Sequence, residues 1–441
     1  MSRTKIKPVA ESVGIAARAA ALRLLGVMLD NRDTLERAMS IDGGFAALAP
    51  RDRAFAHNLV ATTLRRLGEI DVALSACMEK PLPANAAKVR NALRLGATQL
   101  LFLKTPAHAA VETSVALIAE GRLGRFKGLV NAVLRRIART PETFLAGRNA
   151  SRVNMPNWLW ARWSIVFGEE ICRQIAEIHL ATPPLDLSVR ADPETWARRL
   201  NGRVLPTGTV RLSEPGPIAQ LDGYGEGAWW VQDAAAALPV HLLGNVKNLA
   251  VFDLCAAPGG KTAQLANAGA NVIAVDHSQT RVARIRENFA RLKLDAAFVV
   301  ADVLTWTPGR TADIVLLDAP CTATGTIRRH PDIQRVKKPA DIVAMTAVQA
   351  KLLSAAAALV RPGGVLLYCA CSLEPEEGPD QIARFLEMSN RFVRESMNVT
   401  AIGGEARFIT AEGDLRTLPS YWADLGGMDG FYAARLRRIG S

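Results

Sequence analysis

Hydrophobic residues recur every three or four positions along the first third of the chain, the spacing that places them on one face of an α-helix. Ala16–Asp30 shows this spacing and contains few β-branched residues. The same pattern returns in Arg53–Leu67, Ala86–Leu103, Val111–Glu120 and Lys127–Ala138. Glycine and proline separate these segments, so the pattern predicts an all-α domain over residues 1–145.

The pattern changes after residue 248, where short apolar stretches alternate with helical ones. The predicted strands are Leu249–Leu254, Asn271–Val275, Ala297–Ala301, Asp313–Leu317, Gly364–Cys369 and Phe431–Arg437. The predicted helices between them cover 261–268, 279–292, 341–360 and 378–389. This alternation is typical of an α/β fold with a doubly wound sheet, which binds ligands at the carboxyl ends of its strands. We expect this domain over 241–441, after a linker and small bridging subdomain over 146–240.

The charge of the chain is concentrated in the predicted helical domain. The 441 residues include 54 Lys and Arg against 42 Asp and Glu, a formal net charge of +12. Residues 1–150 hold 23 of the basic and 12 of the acidic residues. Such an excess suits a polyanionic partner, with nucleic acid the first candidate. Any single arginine here is explained by an exposed, solvated helix face. The cluster of basic residues from Arg122 to Arg139 instead favours contact with phosphates.

Cysteine and histidine are too few and too scattered for a disulfide scaffold or a zinc site. The six cysteines include no C-x-x-C pair and the six histidines no H-x-x-x-H spacing, so no metal is expected. No apolar run reaches the roughly 18 residues that span a bilayer. Glu11 and Arg18 interrupt the N-terminus before a signal-peptide core forms. We expect a reduced, cytoplasmic protein without a membrane segment.

The first predicted strand runs into a loop of small residues and glycines, Asp253-Leu254-Cys255-Ala256-Ala257-Pro258-Gly259-Gly260-Lys261-Thr262. Small residues let the backbone approach a ligand closely, and the helix N-terminus that follows favours polar or anionic groups. A phosphate-binding P-loop would require a glycine where Cys255 stands. The dinucleotide pattern G-x-G-x-x-G is also absent. The third candidate ligand is S-adenosylmethionine.

The ends of the next two strands favour S-adenosylmethionine. Asn271–Val275 runs into Asp276, 23 residues beyond Asp253, where an acid can bind ribose hydroxyls. The third strand leads to Asp302, whose carboxylate can accept from the adenine amino group. Either acid alone is equally typical of a helix cap, but the strand-end features together indicate a cofactor site. Arg281, on the next helix, either braces this pocket or lies on the surface.

A carboxylate and two thiols follow the fourth and fifth strands. Asp318 and Cys321 come after Asp313–Leu317, and Cys371 comes after Gly364–Cys369. A lone cysteine is usually a core residue, but two at neighbouring strand ends beside an aspartate favour catalysis. They suit methylation at carbon 5 of a pyrimidine, in which a thiolate adds to carbon 6 and makes carbon 5 nucleophilic, while the aspartate binds the cytosine amino group. Spacing alone does not choose which thiol is the nucleophile.

Five segments carry a resemblance to a known family: Asp253–Thr262, Asp318–Cys321, Thr322–Ile333, Tyr368–Gly378 and Gly427–Tyr432. In these the chain resembles the NOP2/Sun RNA cytosine-5 methyltransferases, and most closely the bacterial members that act on small-subunit ribosomal RNA. The resemblance implies S-adenosylmethionine as the cofactor and that RNA as the substrate. It also implies a class I methyltransferase Rossmann-like sheet and an all-α NusB-like RNA-binding domain at the N-terminus.

The resemblance assigns roles to individual residues. Cys371 is implied to be the nucleophile and Cys321 to assist product release, with Asp318 beside them. The expected cofactor-binding residues are Cys255, Ala256, Ala257, Pro258, Gly259, Gly260, Lys261, Asp276, Arg281, Asp302 and Asp318. The chain departs from the family's Thr-Cys-Ser pattern at Ala370-Cys371-Ser372. Cys369 is a rival thiol, because residues two apart on a strand face the same side.

Two other functions remain open at this point. A non-catalytic RNA-binding assembly factor would use the basic first third of the chain, although the complete set of strand-end acids and thiols argues against it. A nucleotide hydrolase would use Gly260-Lys261-Thr262 but lacks the first P-loop glycine. Six basic residues follow the Pro-Cys motif (Pro320-Cys321) and either bind the RNA backbone or belong to a solvated loop: Arg328, Arg329, His330, Arg335, Lys337 and Lys338. We expect the protein to act as a monomer.

Overall fold

The computed structural model describes residues 14–119, 121–147 and 149–440 and forms two compact units. The first unit contains the described residues up to Leu180 together with His330–Lys337. The second contains Ala181–Arg329 and the described residues from Lys338 onward. Glu11 and Glu120, which entered the sequence predictions, lie outside the described residues.

The first unit is built from α-helices that pack around an apolar core. Its helices are α1 (Ile15–Asn31), α2 (Leu35–Ile41), α3 (Gly43–Ala46), α4 (Pro50–Arg65), α5 (Leu67–Ala76), α6 (Ala87–Leu101), α7 (Ala107–Ala116), α8 (Lys127–Arg139), α9 (Pro141–Leu145), α10 (Ala150–Asn154), α11 (Asn157–Phe167) and α12 (Glu169–Ile178). Small and branched side chains such as Ala21, Leu25, Leu93 and Leu134 fill the core. The predicted all-α domain is confirmed, and each of its five predicted segments falls on one of these helices.

A segment from the second half of the sequence completes the first unit. In His330–Lys337, the Asp332 Oδ2 accepts the backbone N–H of Leu35 at 3.0 Å, at the start of α2. Arg335 donates to the backbone carbonyl of Asn154 at 2.6 Å, at the end of α10. The helical unit is therefore discontinuous in sequence.

The second unit begins with a small antiparallel sheet. Its strands are β1 (Leu185–Val189), β2 (Arg203–Val204), β3 (Val210–Leu212) and β4 (Trp229–Val231), in the spatial order β2-β3-β1-β4. Helix α13 (Pro193–Arg199) follows β1, and α14 (Ala234–His241) follows β4. The sequence predicted an extended stretch here only over Leu185–Val189. Residues 146–240 are thus divided, with 146–180 in the helical unit and 181–240 in this one.

A larger mixed sheet forms the rest of the second unit. Its elements are β5 (Ala250–Leu254), α15 (Gly260–Asn267), β6 (Asn271–Asp276), α16 (Gln279–Leu292), β7 (Ala297–Val300), β8 (Ala312–Asp318), α18 (Pro339–Leu359), β9 (Val360–Ala370), α19 (Pro379–Met388), β10 (Phe392–Arg394), β11 (Leu415–Thr417) and β12 (Phe431–Arg438), while α17 (Ile333–Val336) belongs to the first unit. The strands lie in the order β10-β12-β9-β8-β5-β6-β7, and β11 pairs with β12. Strands β5 to β9 are parallel, whereas β12 runs antiparallel to β9. The predicted doubly wound sheet is confirmed.

Side chains of the central strands alternate between two apolar cores, as expected for a sheet covered on both faces. Val251 and Leu316 contribute to the core that contains Leu265 of α15. Phe252 and Val315 contribute to the core that contains residues of α18 and α19. With helices on both faces, the strand ends at the sheet edge are left to bind ligands.

The structure differs from the prediction where the chain pattern was short or irregular. Strand β9 begins at Val360, four residues before the predicted start at Gly364, and a register shift against β8 accommodates the Arg-Pro-Gly-Gly stretch. Strands β10 and β11 were not predicted. Each has three residues, too few for the alternation of apolar and polar positions that identifies a strand.

Helix α18 is the one helix of the described residues with the length and composition to cross a membrane, with a mean hydropathy of 1.7 over its most apolar window. Its Leu352, Leu353, Ala356 and Ala357 are buried in the sheet core. Those four side chains pack on β8 and β9, which is the position of a core helix in an α/β sheet.

Candidate active site

The carboxyl ends of four parallel strands meet at one edge of the large sheet and carry the predicted site residues. Strands β5, β6 and β8 end at Leu254, Asp276 and Asp318, and β9 is followed directly by Cys371. Strand β5 pairs with β6 and β8, and β8 pairs with β9, so these ends are neighbours in the sheet. The structure therefore brings together the strand-end residues that the sequence placed there.

The loop between β5 and α15 is held by a buried hydrogen bond. The Thr262 hydroxyl donates to Oδ2 of Asp253 at 2.5 Å. Burial raises the pKa of Asp253 to about 7, and its Oδ1 has no hydrogen-bond partner among the described residues. Gly259 has a φ of +98°, and a Cβ there would lie 2.9 Å from Ile285. Because the Thr262 hydroxyl donates to Asp253, the structure gives no support to the P-loop hypothesis.

Asp276 and Arg281 lie together at the tip of β6. The Asp276 carboxylate accepts the backbone N–H of Ala257 at 3.2 Å and that of Ser278 at 3.0 Å. Arg281 lies 3.4 Å from the same carboxylate and donates to the carbonyl of Ala257 at 2.6 Å. Arg281 thus links the β6 acid to the loop after β5, while its own side chain is half-exposed.

The other expected cofactor residues lie around this acid. Asp302 is exposed beyond β7 and accepts the backbone N–H of Leu304 at 2.9 Å. Burial raises the pKa of the Cys255 thiol to about 12, which keeps it protonated. The acceptor carboxylates of Asp276 and Asp302, beside a loop with glycine backbone, match the ribose hydroxyls and adenine amino group of S-adenosylmethionine. The residues present therefore fit this cofactor.

The two predicted catalytic thiols face each other. The Sγ atoms of Cys321 and Cys371 are 3.4 Å apart, and both residues are half-buried. The hydrogen bond with Cys371, together with burial, raises the pKa of the Cys321 thiol well above its usual range. Cys369, the rival thiol, is fully buried in the sheet core, and burial raises its pKa as well. The geometry leaves Cys321 and Cys371 as the accessible pair.

Lys261, in the first turn of α15, contacts Asp318, the acid predicted to take part in catalysis. Its Nζ is 2.7 Å from Oδ2 of Asp318 and 4.8 Å from the ring centre of Phe431. Burial lowers the pKa of Lys261, but the neighbouring charge of Asp318 outweighs it and the pKa rises above its usual value. Sequence reasoning missed this pairing, because the two residues are 57 positions apart.

The basic residues after Pro320-Cys321 differ in their surroundings. Arg328 is fully buried and forms an ion pair with Asp233, at the start of α14, so neither RNA contact nor a solvated loop describes it. Arg329 is exposed and forms an ion pair with Asp429 at 2.5 Å. Arg335, in the helical unit, donates to backbone carbonyls, and burial lowers its pKa to about 10. RNA contact stays a prediction for the exposed members of this set, which are Arg329, His330 and Lys338.

Basic side chains on and before α8 are exposed. They are Arg122, Arg125, Lys127, Arg135, Arg136 and Arg139. A groove of about 590 Å³ between α7 and α8 is lined by Arg135 and Arg139 together with His108 and Glu112. The cluster that the sequence selected for phosphate contact is therefore available to a ligand. Among the residues with described positions, no group of three or more His, Cys, Asp or Glu side chains is placed to hold a metal ion.

Two glycines let the loop after Cys321 pack against the backbone next to Cys371. The Gly325 N–H donates to the carbonyl of Cys371 at 3.1 Å, and the Gly430 N–H donates to the carbonyl of Gly325 at 2.8 Å. A Cβ on Gly325 would lie 1.9 Å from the Gly430 oxygen. Only a residue without a side chain fits this contact.

We therefore expect Gly325→Ala to lower the free energy of unfolding by about 2–3 kcal/mol, because the methyl group overlaps backbone atoms that cannot move aside. Urea unfolding followed by circular dichroism measures the change. Gly225→Ala is the matched control, since a Cβ at that position meets nothing within 4 Å. An unchanged unfolding midpoint for Gly325→Ala would contradict the contact.

Comparison with known proteins gives matches to both units. The sequence model for 16S rRNA methyltransferase RsmB/F matches residues 240–437, and that for the NusB family matches residues 15–139. Ribosomal RNA small subunit methyltransferase B from Cronobacter sakazakii is 36% identical over 358 residues, covering 77% of this chain and 83% of the relative. The protein of the same name from Vibrio cholerae is 33% identical over 439 residues, covering 96% and 97%. The crystal structure of NSun6 from Pyrococcus horikoshii with SFG has a TM-score of 0.56 at 18% identity, covers 65% of this chain and 99% of that one, and shares the fold.

Proposed function

Because the chain belongs to the RsmB/F family of 16S rRNA methyltransferases, we propose that it transfers a methyl group from S-adenosylmethionine to carbon 5 of a cytosine in small-subunit ribosomal RNA. One observation carries the residue assignment. The Sγ atoms of Cys321 and Cys371 lie 3.4 Å apart at neighbouring strand ends. Asp318, which pairs with Lys261 of α15, ends the strand that leads to Cys321. A thiol pair beside a carboxylate suits covalent activation of a pyrimidine.

The reaction starts at Cys371. Its thiolate adds to carbon 6 of the cytosine, and the electron density moved to carbon 5 makes that carbon nucleophilic. Bound S-adenosylmethionine would supply the methyl group as an electrophile, and its sulfur would keep the electrons of the broken sulfur–methyl bond as the leaving thioether, S-adenosylhomocysteine. The hydrogen bond with Cys371, together with burial, raises the pKa of the Cys321 thiol, which favours its protonated form. The attack is assigned to Cys371 because it holds the position that the family resemblance gives to the nucleophile.

Asp318 orients the base. Its carboxylate accepts hydrogen bonds, and the exocyclic amino group of cytosine donates them. Lys261 holds Asp318 with an ammonium nitrogen 2.7 Å from Oδ2. This charged hydrogen bond fixes the orientation of the Asp318 carboxylate, because the Lys261 side chain that donates it is almost fully buried. The base is thereby presented with carbon 6 toward Cys371.

Product release needs a base. After methylation, carbon 5 carries a proton that must leave before the bond between carbon 6 and the Cys371 sulfur can break. The hydrogen bond and charge of Cys371 raise the pKa of Cys321 in the free enzyme. Cys321, whose sulfur lies 3.4 Å from that of Cys371, is placed to accept the carbon 5 proton when it is in the thiolate form. The electrons of the carbon 5–hydrogen bond then restore the double bond between carbons 5 and 6, and the bond from carbon 6 to sulfur breaks to free the Cys371 thiolate.

The helical unit binds the RNA backbone. Its match to the NusB family and the exposed basic side chains of α8, including Arg135 and Arg139, support this part of the proposal. The proposal includes action in the cytoplasm, which the assignment to ribosomal RNA supports. All residues proposed for the chemistry lie in one unit of one chain, so a monomer suffices.

The proposed function is tested with purified protein, small-subunit RNA and S-adenosylmethionine labelled in the methyl group. We expect label in 5-methylcytosine, located by bisulfite mapping.

Asp276→Asn should weaken cofactor binding by about 10- to 100-fold, because a hydrogen bond to a charged group contributes about 1.5–3 kcal/mol. Titration of the cofactor into the protein measures this.

Asp295→Asn is the matched control for that substitution, since Asp295 is an exposed acid of the same unit. Unchanged cofactor affinity in Asp276→Asn would remove Asp276 from the cofactor site. RNA binding without any transfer of label would reject the enzyme and favour a non-catalytic assembly factor.

A further inference from the structure

Glu377 lies at the centre of a buried hydrogen-bond cluster beside the two thiols. Its carboxylate accepts the backbone N–H of Thr322 at 2.9 Å and the Thr322 hydroxyl. It also accepts the Ser372 hydroxyl at 2.5 Å and Nε2 of Gln349 at 3.1 Å. Glu377 is fully buried, so these four donors take the place of water around the carboxylate.

We propose that Glu377 is a positioning residue that sets the separation of the two reacting thiols. Thr322 directly follows Cys321, and Ser372 directly follows Cys371. One carboxylate thus binds the residue after each thiol. The inference rests on the proposed roles of Cys321 and Cys371, and it adds a residue to which no role in the reaction has been given above.

The hydrogen-bond cluster around Glu377 lies beyond the last paired residues of β8 and β9, where the sheet no longer fixes the segments that carry Cys321 and Cys371. The ladder between β8 and β9 ends with Asp318 opposite Cys369, followed by the hydrogen bond from the Ala319 N–H to the Cys369 carbonyl at 2.9 Å. Cys321 and Cys371 both lie beyond this point. The relative position of the two thiols therefore depends on contacts between the loops that follow β8 and β9. The Glu377 carboxylate makes such a contact, because it accepts hydrogen bonds from both Thr322 and Ser372.

The carboxylate itself is held from two further elements. Tyr368, on β9, donates its hydroxyl to the backbone carbonyl of Glu377 at 2.7 Å. Gln349, on α18, donates to both the Glu377 carboxylate and the carbonyl of Pro320 at 2.9 Å. A side chain fixed from a strand and a helix transmits their rigidity to the loops that carry the thiols.

A carboxylate suits this position better than its amide. It is an acceptor at both oxygens, with about four lone-pair sites, and here it meets four donors. Burial raises the pKa of Glu377, and the hydroxyl groups of Ser372 and Thr322 act against that shift. Glutamine would replace one of these oxygens with an NH₂ group. Facing the backbone N–H of Thr322, this group would set two donors against each other; facing the two hydroxyls, it would reverse their hydrogen bonds, and in either case the negative charge is lost.

The first test is the kinetics of Glu377→Gln on small-subunit RNA. We expect kcat to fall by about 10²-fold, because a displacement of about 1 Å between reacting groups costs that much. The KM for S-adenosylmethionine should stay within about twofold of the wild type, since Asp276 and Asp302, the acids expected to bind the ribose and adenine, lie at the end of β6 and beyond β7 and not on the strands that lead to the thiols. Glu387→Gln is the matched control, because Glu387 is exposed on α19.

The second test measures the thiol separation without substrate. An aromatic disulfide such as 4,4′-dithiodipyridine forms a mixed disulfide with one thiol and releases one thiopyridone. The second thiol then displaces another thiopyridone and closes a disulfide between Cys321 and Cys371, so that two thiols are oxidised as one reagent molecule is reduced. We expect closure to be at least tenfold slower in Glu377→Gln than in Glu387→Gln, as measured by peptide mass spectrometry after quenching.

Two milder variants cover the case that Glu377→Gln does not fold. Thr322→Val and Ser372→Ala each remove one hydroxyl from the carboxylate and leave the remaining donors in place. Each should slow closure and lower kcat, and the double variant should lose less than the product of the single losses, because both act through one carboxylate. Unchanged closure rate and kcat in these variants, or in folded Glu377→Gln, would overturn the proposal.

The outcome is separable from that of the proposed function. If Cys371→Ala keeps full activity, the nucleophile assignment fails whatever Glu377→Gln does. If Cys371→Ala is inactive while Glu377→Gln behaves as the control, only the positioning role fails.

Discussion

Replacing Cys371 with alanine removes methyl transfer to cytosine while leaving cofactor binding unchanged. We expect a loss of at least about 10⁴-fold in kcat, because removing the nucleophile of a covalent enzyme removes the whole activated pathway. Without sulfur addition at carbon 6, carbon 5 of cytosine is too poor a nucleophile to take the methyl group. Transfer of label from S-adenosylmethionine to small-subunit RNA measures the loss.

The control for this variant is Cys77→Ala. Cys77 is a free, partly buried thiol of the helical unit, so its removal tests for a general effect of cysteine loss. Cys369→Ala distinguishes the rival thiol. If Cys369→Ala were inactive while Cys371→Ala kept its activity, the nucleophile would have to be moved to Cys369 against its full burial.

Replacing Cys321 with alanine traps the protein on its RNA. Cys371 still adds to carbon 6 and methylation still proceeds, but the group proposed to remove the carbon 5 proton is gone. The bond between carbon 6 and the Cys371 sulfur then persists. We expect most of the active protein to migrate as a covalent protein–RNA species on a denaturing gel. Nuclease digestion should leave a methylated nucleotide on the peptide that contains Cys371.

The double variant Cys321→Ala/Cys371→Ala should form no such species, because it lacks the attacking thiol. A trapped species in the double variant would point to a different nucleophile. Free turnover by Cys321→Ala would assign proton removal to another group at the site.

Local patterns predicted the fold because both units have regular periods. The helical spacing of Ala16–Asp30 and the apolar strands of the α/β domain directly reflect which side chains face a core. Strand ends also located Asp276, Asp318 and Cys371, since parallel strands bring their carboxyl ends to one edge. Their individual roles stay proposals that the variants above test.

Contacts between distant residues were not predictable from the sequence. In the sequence Lys261 belongs to a glycine-containing loop motif, whereas in the structure its ammonium group binds Asp318 at the end of β8. Glu377 stands in an acidic run, Glu374-Pro375-Glu376-Glu377, that looks like a solvated turn. A charged residue in sequence is usually exposed, and only packing reveals that this one is enclosed by donors.

The same limit applies to Arg328 and Arg329. They lie in a basic stretch after the Pro-Cys motif, but Arg328 is buried against Asp233, and the exposed Arg329 forms an ion pair with the buried Asp429. The partners of these arginines come from the start of α14 and from the loop before β12. A run of basic residues looks the same in the sequence whether its side chains bind phosphates or pair with buried carboxylates.

The discontinuity of the helical unit has a consequence for synthesis on the ribosome. When residue 180 has been made, the unit still lacks Asp332 and Arg335, which bind Leu35 and Asn154. About 150 further residues must be translated before they exist. At roughly 5–20 residues per second, this takes on the order of 10 s or more. The first unit to emerge is thus completed only after much of the methyltransferase sheet has been translated, so the two units mature together.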